Sequence, residues 1–157
     1  MNKKTKACYS AFDTAIYYLT FRDRSQKELI TKLKEKGYSE SEIDDTIEKL
    51  VQYGYLDDER YALSYIKSHM QSRGRKRITM ELSGKGVDPE TTRELFSELS
   101  FDETDTIMQL LKRRYSTLDF DEEAQVRRMY AFFARRGFRY EDIRRAVSKY
   151  RKNIEKL

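Results

Sequence analysis

Four cations, Arg73, Arg75, Lys76 and Arg77, crowd around Gly74 where a helix is expected to begin. Free N–H groups, the positive end of a helix dipole and guanidinium forks at one place suit a phosphate or an acidic protein surface. A plainer account stands second to it, in which Arg77 pairs with Glu81 one turn on and the others are solvated. A second basic set lies toward the C-terminus. Arg145, Lys149 and Lys152 follow a four-then-three spacing that lines one helix face, and Arg127, Arg128, Arg135 and Arg136 add cations on the preceding segment. Twelve Tyr and eight Phe are spread through the chain, and aromatic rings stack on unpaired bases. Most of them, Tyr130 and Phe133 included, fall on apolar faces, which assigns them to the core.

Catalytic chemistry finds no such support. The acidic runs Asp44-Asp45 and Asp57-Asp58-Glu59 suggest metal ligands, but adjacent helical residues point about 100° apart and do not converge on one ion. Capping of helix N-termini explains them better. His69 is the single histidine and Cys8 the single cysteine, so neither a zinc set nor an internal disulfide can be built, and His69 reads as a packing or surface residue. No phosphate-cradling glycine loop or nucleophile elbow occurs. The chain therefore reads as a non-enzyme without metal or cofactor. It begins Met-Asn-Lys-Lys with no apolar signal region and has no apolar run near membrane-spanning length, which predicts a cytoplasmic protein. The net charge of +5 is uneven: residues 101–157 carry fourteen cations against ten anions, and ten of the fourteen are arginine. Arginine suits phosphate and carboxylate forks, so the excess favours a polyanionic partner over plain solvation.

The elements that must position these residues repeat three times. Leu33-Lys-Glu-Lys-Gly37-Tyr38, Leu82-Ser-Gly-Lys-Gly86-Val87 and Phe133-Ala-Arg-Arg-Gly137-Phe138 align without a gap, with the glycines 49 and 51 residues apart. If each glycine ends a helix in a left-handed cap, the apolar residues flanking it are the pair that touches in a Schellman motif. Ser25-x-x-Glu28 and Ser39-x-x-Glu42 read as capping boxes, and Asp88-Pro89 as a capped helix start. Apolar spacing is helical throughout, as in Ile143, Ala146, Val147, Tyr150 and Ile154. The prediction is all-α, with nine helices at about 5–22, 25–36, 39–53, 57–73, 75–85, 89–99, 102–115, 121–136 and 140–153. They form three tandem three-helix, helix-turn-helix-like repeats, 1–56, 57–100 and 101–157, in an elongated, curved array. Units of this size bury little alone, so neighbours are expected to share a core.

Gly54-Tyr55-Leu56-Asp57-Asp58-Glu59-Arg60-Tyr61-Ala62 closes the first repeat and opens the second. It closely resembles the Gly-Tyr-(Leu/Ile)-(Asp/Asn)-Asp-x-Arg-(Phe/Tyr)-Ala signature of the RecX regulatory proteins, modulators of the RecA recombinase. Arg22-Asp-Arg24-Ser25-Gln-Lys-Glu28-Leu29 is similar to the same family's first-repeat opening. Gly74-Arg-Lys-Arg77-Ile78-x-x-Glu81-Leu82-x-x-Lys85-Gly86 is similar to its second, with Arg75 where the family commonly has proline. Arg135-Arg136-Gly137-Phe138 and Ile143 match more loosely. The resemblance runs in order from about Ala15 to Tyr150. It implies a monomer that lies along the groove of the RecA filament on single-stranded DNA, also able to meet duplex DNA, and that inhibits ATPase, strand exchange and filament growth. The rival reading is a transcription regulator placing its helix-turn-helix-like pairs in major grooves. Three pairs in tandem, a basic excess at one end and no dimerisation helix count against it.

Overall fold

The computed structural model describes residues 9–157, so Cys8 and the expected first turn at 5–8 lie outside them. The described chain is nine helices and no strand. The first repeat holds α1 (Ala11–Phe21), α2 (Gln26–Glu35) and α3 (Glu40–Gln52). The second holds α4 (Asp58–His69), α5 (Arg75–Gly84) and α6 (Pro89–Glu98), and the third α7 (Glu103–Arg114), α8 (Glu123–Arg135) and α9 (Tyr140–Glu155). Helix starts follow local chemistry. Ser25 and Ser39 form the expected capping boxes, and Ser10 forms another with Asp13. Asp57, Asp88 and Asp102 cap α4, α6 and α7. The expected helix at 57–73 stops at His69, because the N–H groups of Ser72 and Arg73 both turn back to the His69 carbonyl.

Each second helix ends as the repeat motif requires. The N–H groups of Tyr38, Val87 and Phe138 reach the carbonyls of Leu33, Leu82 and Phe133 at 3.3, 3.0 and 3.2 Å. Gly54 closes α3 in the same left-handed conformation (φ 76°). At the corresponding end of α6 that conformation falls to Ser100 (φ 49°), a non-glycine in the strained region.

Among the described residues no core is shared between repeats. Three separate apolar clusters form, one per repeat. Leu29, Leu33, Ile43 and Leu50 centre the first, Ile66, Ile78, Leu82 and Phe96 the second, and Ile107, Leu111, Met129 and Phe133 the third. Leu56 completes the first core, and Phe101, on the third-repeat side of a boundary at 100, packs in the second. Extensive helix packing stays inside repeats, led by α7 against α9. On α9 the apolar stripe buries Ile143, Ala146, Val147 and Tyr150, whereas Ile154 lies past the core and is exposed. The accessible surface of 10782 Å² exceeds the roughly 8,300 Å² of a compact monomer of this mass, as an elongated array should.

Polar contacts join the units. The end of α5 leans on the first turn of α2, where a Cβ at Gly86 would come 2.8 Å from Lys27 Cβ. The end of α8 leans likewise on α5: a Cβ at Gly137 would come 2.4 Å from the Arg77 nitrogen, and one at Gly74 2.3 Å from the Gly137 carbonyl oxygen. There the Gly74 and Lys76 N–H groups donate to the carbonyls of Arg136 (2.8 Å) and Gly137 (3.3 Å). The electronegative end of one helix thus meets the electropositive end of another.

Candidate nucleic-acid interface

The nine-residue signature is built as a joint. Asp57 accepts from the N–H groups of Glu59 and Arg60, while Asp58 turns back and accepts from Gln26 N–H at 2.8 Å, capping α2 across the repeat boundary. Arg60 donates to the carbonyls of Gly54 (3.1 Å) and Tyr55 (3.4 Å), holding the end of α3. Leu56 is buried and Tyr55 exposed. Upstream, Arg24 lies over the Tyr18 ring and donates to the Tyr18 carbonyl, and Ser25 is fully buried in its capping box. Glu28 accepts from Lys85 at 2.8 Å and Arg22 at 3.2 Å. Burial pushes its carboxyl up, but the hydrogen bonds from Lys85 and Arg22 outweigh this and hold it below the ordinary value.

The second joint repeats the device. Glu103, at the position in α7 that Asp58 holds in α4, accepts from the Arg75 N–H at 2.5 Å and so caps α5. Capping at Asp58 is as the acidic run predicts, but the helix it caps belongs to the preceding repeat, and the signal for this cross-repeat role is the Asp-Asp and Asp-Glu pair at equivalent helix starts. Burial raises the Glu103 carboxyl above its ordinary value, with neighbouring Asp142 adding to the rise and the Arg75 N–H and Arg139 opposing it.

These contacts change what the basic cluster at Gly74 can offer. The N–H groups at the start of α5 are filled from within the chain, by Arg136, Glu103 and Gly137. Arg73 and Arg77 both bind Glu81, at 2.8 and 2.9 Å, the i, i+4 pair being the one anticipated. Burial pushes Glu81 up, but Arg77, Tyr65 and Arg73 more than offset it and keep the carboxyl low. Arg75 lies over Phe96 and Phe101, 5.4 and 5.5 Å from their centroids, and donates to the Phe101 carbonyl. Only Lys76 of this cluster is exposed without an ion pair among the described residues.

In the third repeat the named residues separate in the same way. Arg136 belongs to the joint, donating to the Ser72 carbonyl at 3.2 Å with its guanidinium 4.8 Å from the Phe132 ring centroid. Arg114, which the spacing argument left out, sits 4.5 Å from the same ring. Arg127, Arg135, Lys149 and Lys152 are exposed and carry no ion pair among the described residues. Arg128 and Arg145 make only loose pairs, with Glu122 at 4.0 Å and Asp142 at 3.6 Å. Arg145, Lys149 and Lys152 do share the face of α9 opposite its buried stripe. Phe133 is buried, but Tyr130, expected in the core, is only half-buried. His69 is a packing residue, stacked on Tyr65 at 4.1 Å. Among the described residues no three His, Cys, Asp or Glu side chains converge as metal ligands, and no helix is long and apolar enough to cross a membrane. The arrangement offers an open cationic face and hydrogen-bonded joints.

Comparison with known proteins assigns the architecture. Family models described as the first, second and third three-helix domains of RecX match residues 11–50, 57–95 and 102–147 in order. The regulatory protein RecX of Vibrio vulnificus (strain CMCP6) is 34% identical over 145 residues, covering 92% of this chain and 95% of that one. The regulatory protein RecX of Chlorobium phaeobacteroides (strain BS1) is 33% identical over 139 residues, covering 87% and 91%. The crystal structure of RecX from Lactobacillus salivarius superposes with a TM-score of 0.77 at 25% identity, over 89% of this chain and 94% of that one. With three tandem domains matched in sequence and in fold, the chain belongs to the RecX family of regulatory proteins.

Proposed function

We propose that this chain acts in the cytoplasm, as a monomer and without a cofactor, by binding the RecA filament on single-stranded DNA and inhibiting its ATPase, strand exchange and growth. The observation that carries the reading is the tandem array itself: three units with private cores, joined end to end, with an open row of cations on the last two helices. An extended array can follow a groove over several subunits, and unpaired cations answer phosphate. Lys76, Arg127, Arg128, Arg135, Arg145, Lys149 and Lys152 are the side chains available to DNA or to an acidic filament surface. Arg75, Arg77 and Arg136 serve by holding the second and third units in register, while Arg73 is taken up by Glu81 within the second unit.

The test is the DNA-dependent ATPase of the cognate RecA with and without this protein. Inhibition near equimolar concentrations is expected; its absence refutes the reading. Selection of one duplex sequence at high salt would transfer the assignment to a transcription regulator.

A further inference from the structure

Between α8 and α9 lie two shallow notches, each about 300 Å³, that share Val126 and Tyr130 in their walls. The first is completed by Arg127 and Tyr140, the second chiefly by Phe120, Arg144 and Arg151. Tyr140 is 66% exposed, and its centroid stands 5.8 Å from that of Tyr130. Arg127 and Arg144 are exposed and make no ion pair among the described residues, whereas Arg151 is held by Glu155 and Asp121 and lies over Phe120. The nearby carboxylates of Glu123 and Glu141 engage neither free arginine. A different exposed aromatic groove, on the first repeat between Phe12, Tyr53 and Tyr55, has no cation in its walls. A groove between Arg114, Tyr115 and Arg128 also joins a ring to cations, but there Tyr115 is half-buried, Arg114 lies over Phe132 and Arg128 faces Glu122, whereas the α8–α9 notches pair an exposed ring with arginines that no ring or carboxylate engages.

The geometry points to a stacking site for unpaired bases of a single nucleic-acid strand, with Tyr140 and Tyr130 as the stacking surfaces and Arg127 and Arg144 as phosphate contacts. The inference rests on the proposal that the third repeat meets DNA, and it names how. Each notch is at the lower size limit of a ligand cleft, enough for a flat heterocycle and little more. In a duplex the base faces are covered by their neighbours, so aromatic walls gain nothing from paired DNA; a single strand presents the faces. Arginine adds stacking and charge together. The site is sequence-tolerant, because every base has a π-face.

The chain contains no tryptophan, so Tyr140→Trp places one emitting indole in the first notch. The full-length variant is titrated with a labelled oligothymidylate, an abasic oligomer of equal length and a duplex, with occupancy followed by anisotropy. At matched occupancy the indole emission should be quenched by the oligothymidylate and left unchanged by the abasic chain and the duplex. Tyr140→Ala should weaken oligothymidylate binding roughly 5- to 150-fold, the range of one lost base stack, with abasic binding unaltered. Arg127→Ala should weaken all three ligands and lower the salt slope by about 0.7 on single strands. Equal quenching by the abasic chain, or wild-type discrimination in a folded Tyr140→Ala protein, overturns the stacking site and leaves RecA inhibition untouched as a separate result. Quenching by RecA protein without DNA overturns it in favour of a protein contact. Loss of all DNA binding in the wild type removes both this site and the DNA half of the proposed function.

Discussion

Gly74→Ala should open the joint between the second and third repeats while leaving all three cores folded. Gly74 has an ordinary backbone (φ −83°), so alanine meets no conformational strain there. The obstacle is space: the added Cβ would lie 2.3 Å from the Gly137 carbonyl oxygen and 2.5 Å from the Phe138 nitrogen, both backbone atoms of the neighbouring unit. No rotamer relieves that contact, and α8 must withdraw from α5. Four hydrogen bonds then lose their geometry. They are Gly74 N–H to Arg136 at 2.8 Å, Lys76 N–H to Gly137 at 3.3 Å, Arg77 to Arg135 at 3.3 Å and Arg136 to Ser72 at 3.2 Å. At about 0.5–1.5 kcal/mol net for each, the joint weakens by about 2 to 6 kcal/mol. Hydrogen exchange reads this directly: the amides of residues 74 and 76 should lose protection while those of Ile78 and Leu82, inside the second core, keep it. Since alanine is also a poorer N-cap than glycine, Gly74→Ser is the control. Serine repairs the cap but carries the same Cβ. Recovery of protection in the serine variant, or protection of residue 76 in the alanine variant, refutes the close-approach argument.

Ser100→Gly should raise stability by about 1 kcal/mol in urea unfolding, because glycine removes the left-handed penalty that serine bears at φ 49°. Glu103→Gln keeps an acceptor for the Arg75 N–H and removes a buried charge. A carboxyl whose folded pKa is raised stabilises below its unfolded value and loses that contribution as pH climbs through the folded one, so the variant should lose less stability than wild type as pH rises above about 4.5. Reversing Arg145, Lys149 and Lys152 to glutamate should nearly abolish binding to naked DNA and flatten its salt slope by roughly two units, while RecA inhibition falls only in part. Simultaneous loss of both activities at every salt concentration would contradict that division.

Much of this architecture is legible before any coordinates, and the reason is local. A glycine with apolar neighbours at fixed offsets can close a helix without help from elsewhere, and Ser39 with Glu42 can open one. What escapes is every decision made between repeats. Asp58 and Asp57 are the same residue type side by side, yet one caps its own helix and the other a helix 32 positions back. Gly74 looks like a weak N-cap, and only the approach of Gly137 explains why no side chain is allowed there. Arg75 counts as a cation in any charge sum, but it is spent on two phenylalanines and a carbonyl. Tyr130 suits a core face on paper; the fold leaves it half-buried beside the exposed Tyr140.

The separation of cores from joints determines how the array can deform. Rotating one unit against the next in a solenoid with a continuous core would expose apolar area at about 25 cal/mol per Å², and the cost would rise with every side chain uncovered. Here the same rotation disturbs a few hydrogen bonds between helix ends, each replaceable by water at about 1 kcal/mol. Bending is therefore inexpensive and local, and its limits are set by Asp58 and Glu103, whose carboxylates tether each unit to the N-terminus of an earlier helix. Those tethers occupy equivalent positions in consecutive repeats, but the second joint adds main-chain hydrogen bonds from Gly74 and Lys76 to Arg136 and Gly137, so it should yield less than the first. The regularity of the signature around Asp58 thus encodes the spacing between units, while the open cations of α8 and α9 decide what the spaced units can hold.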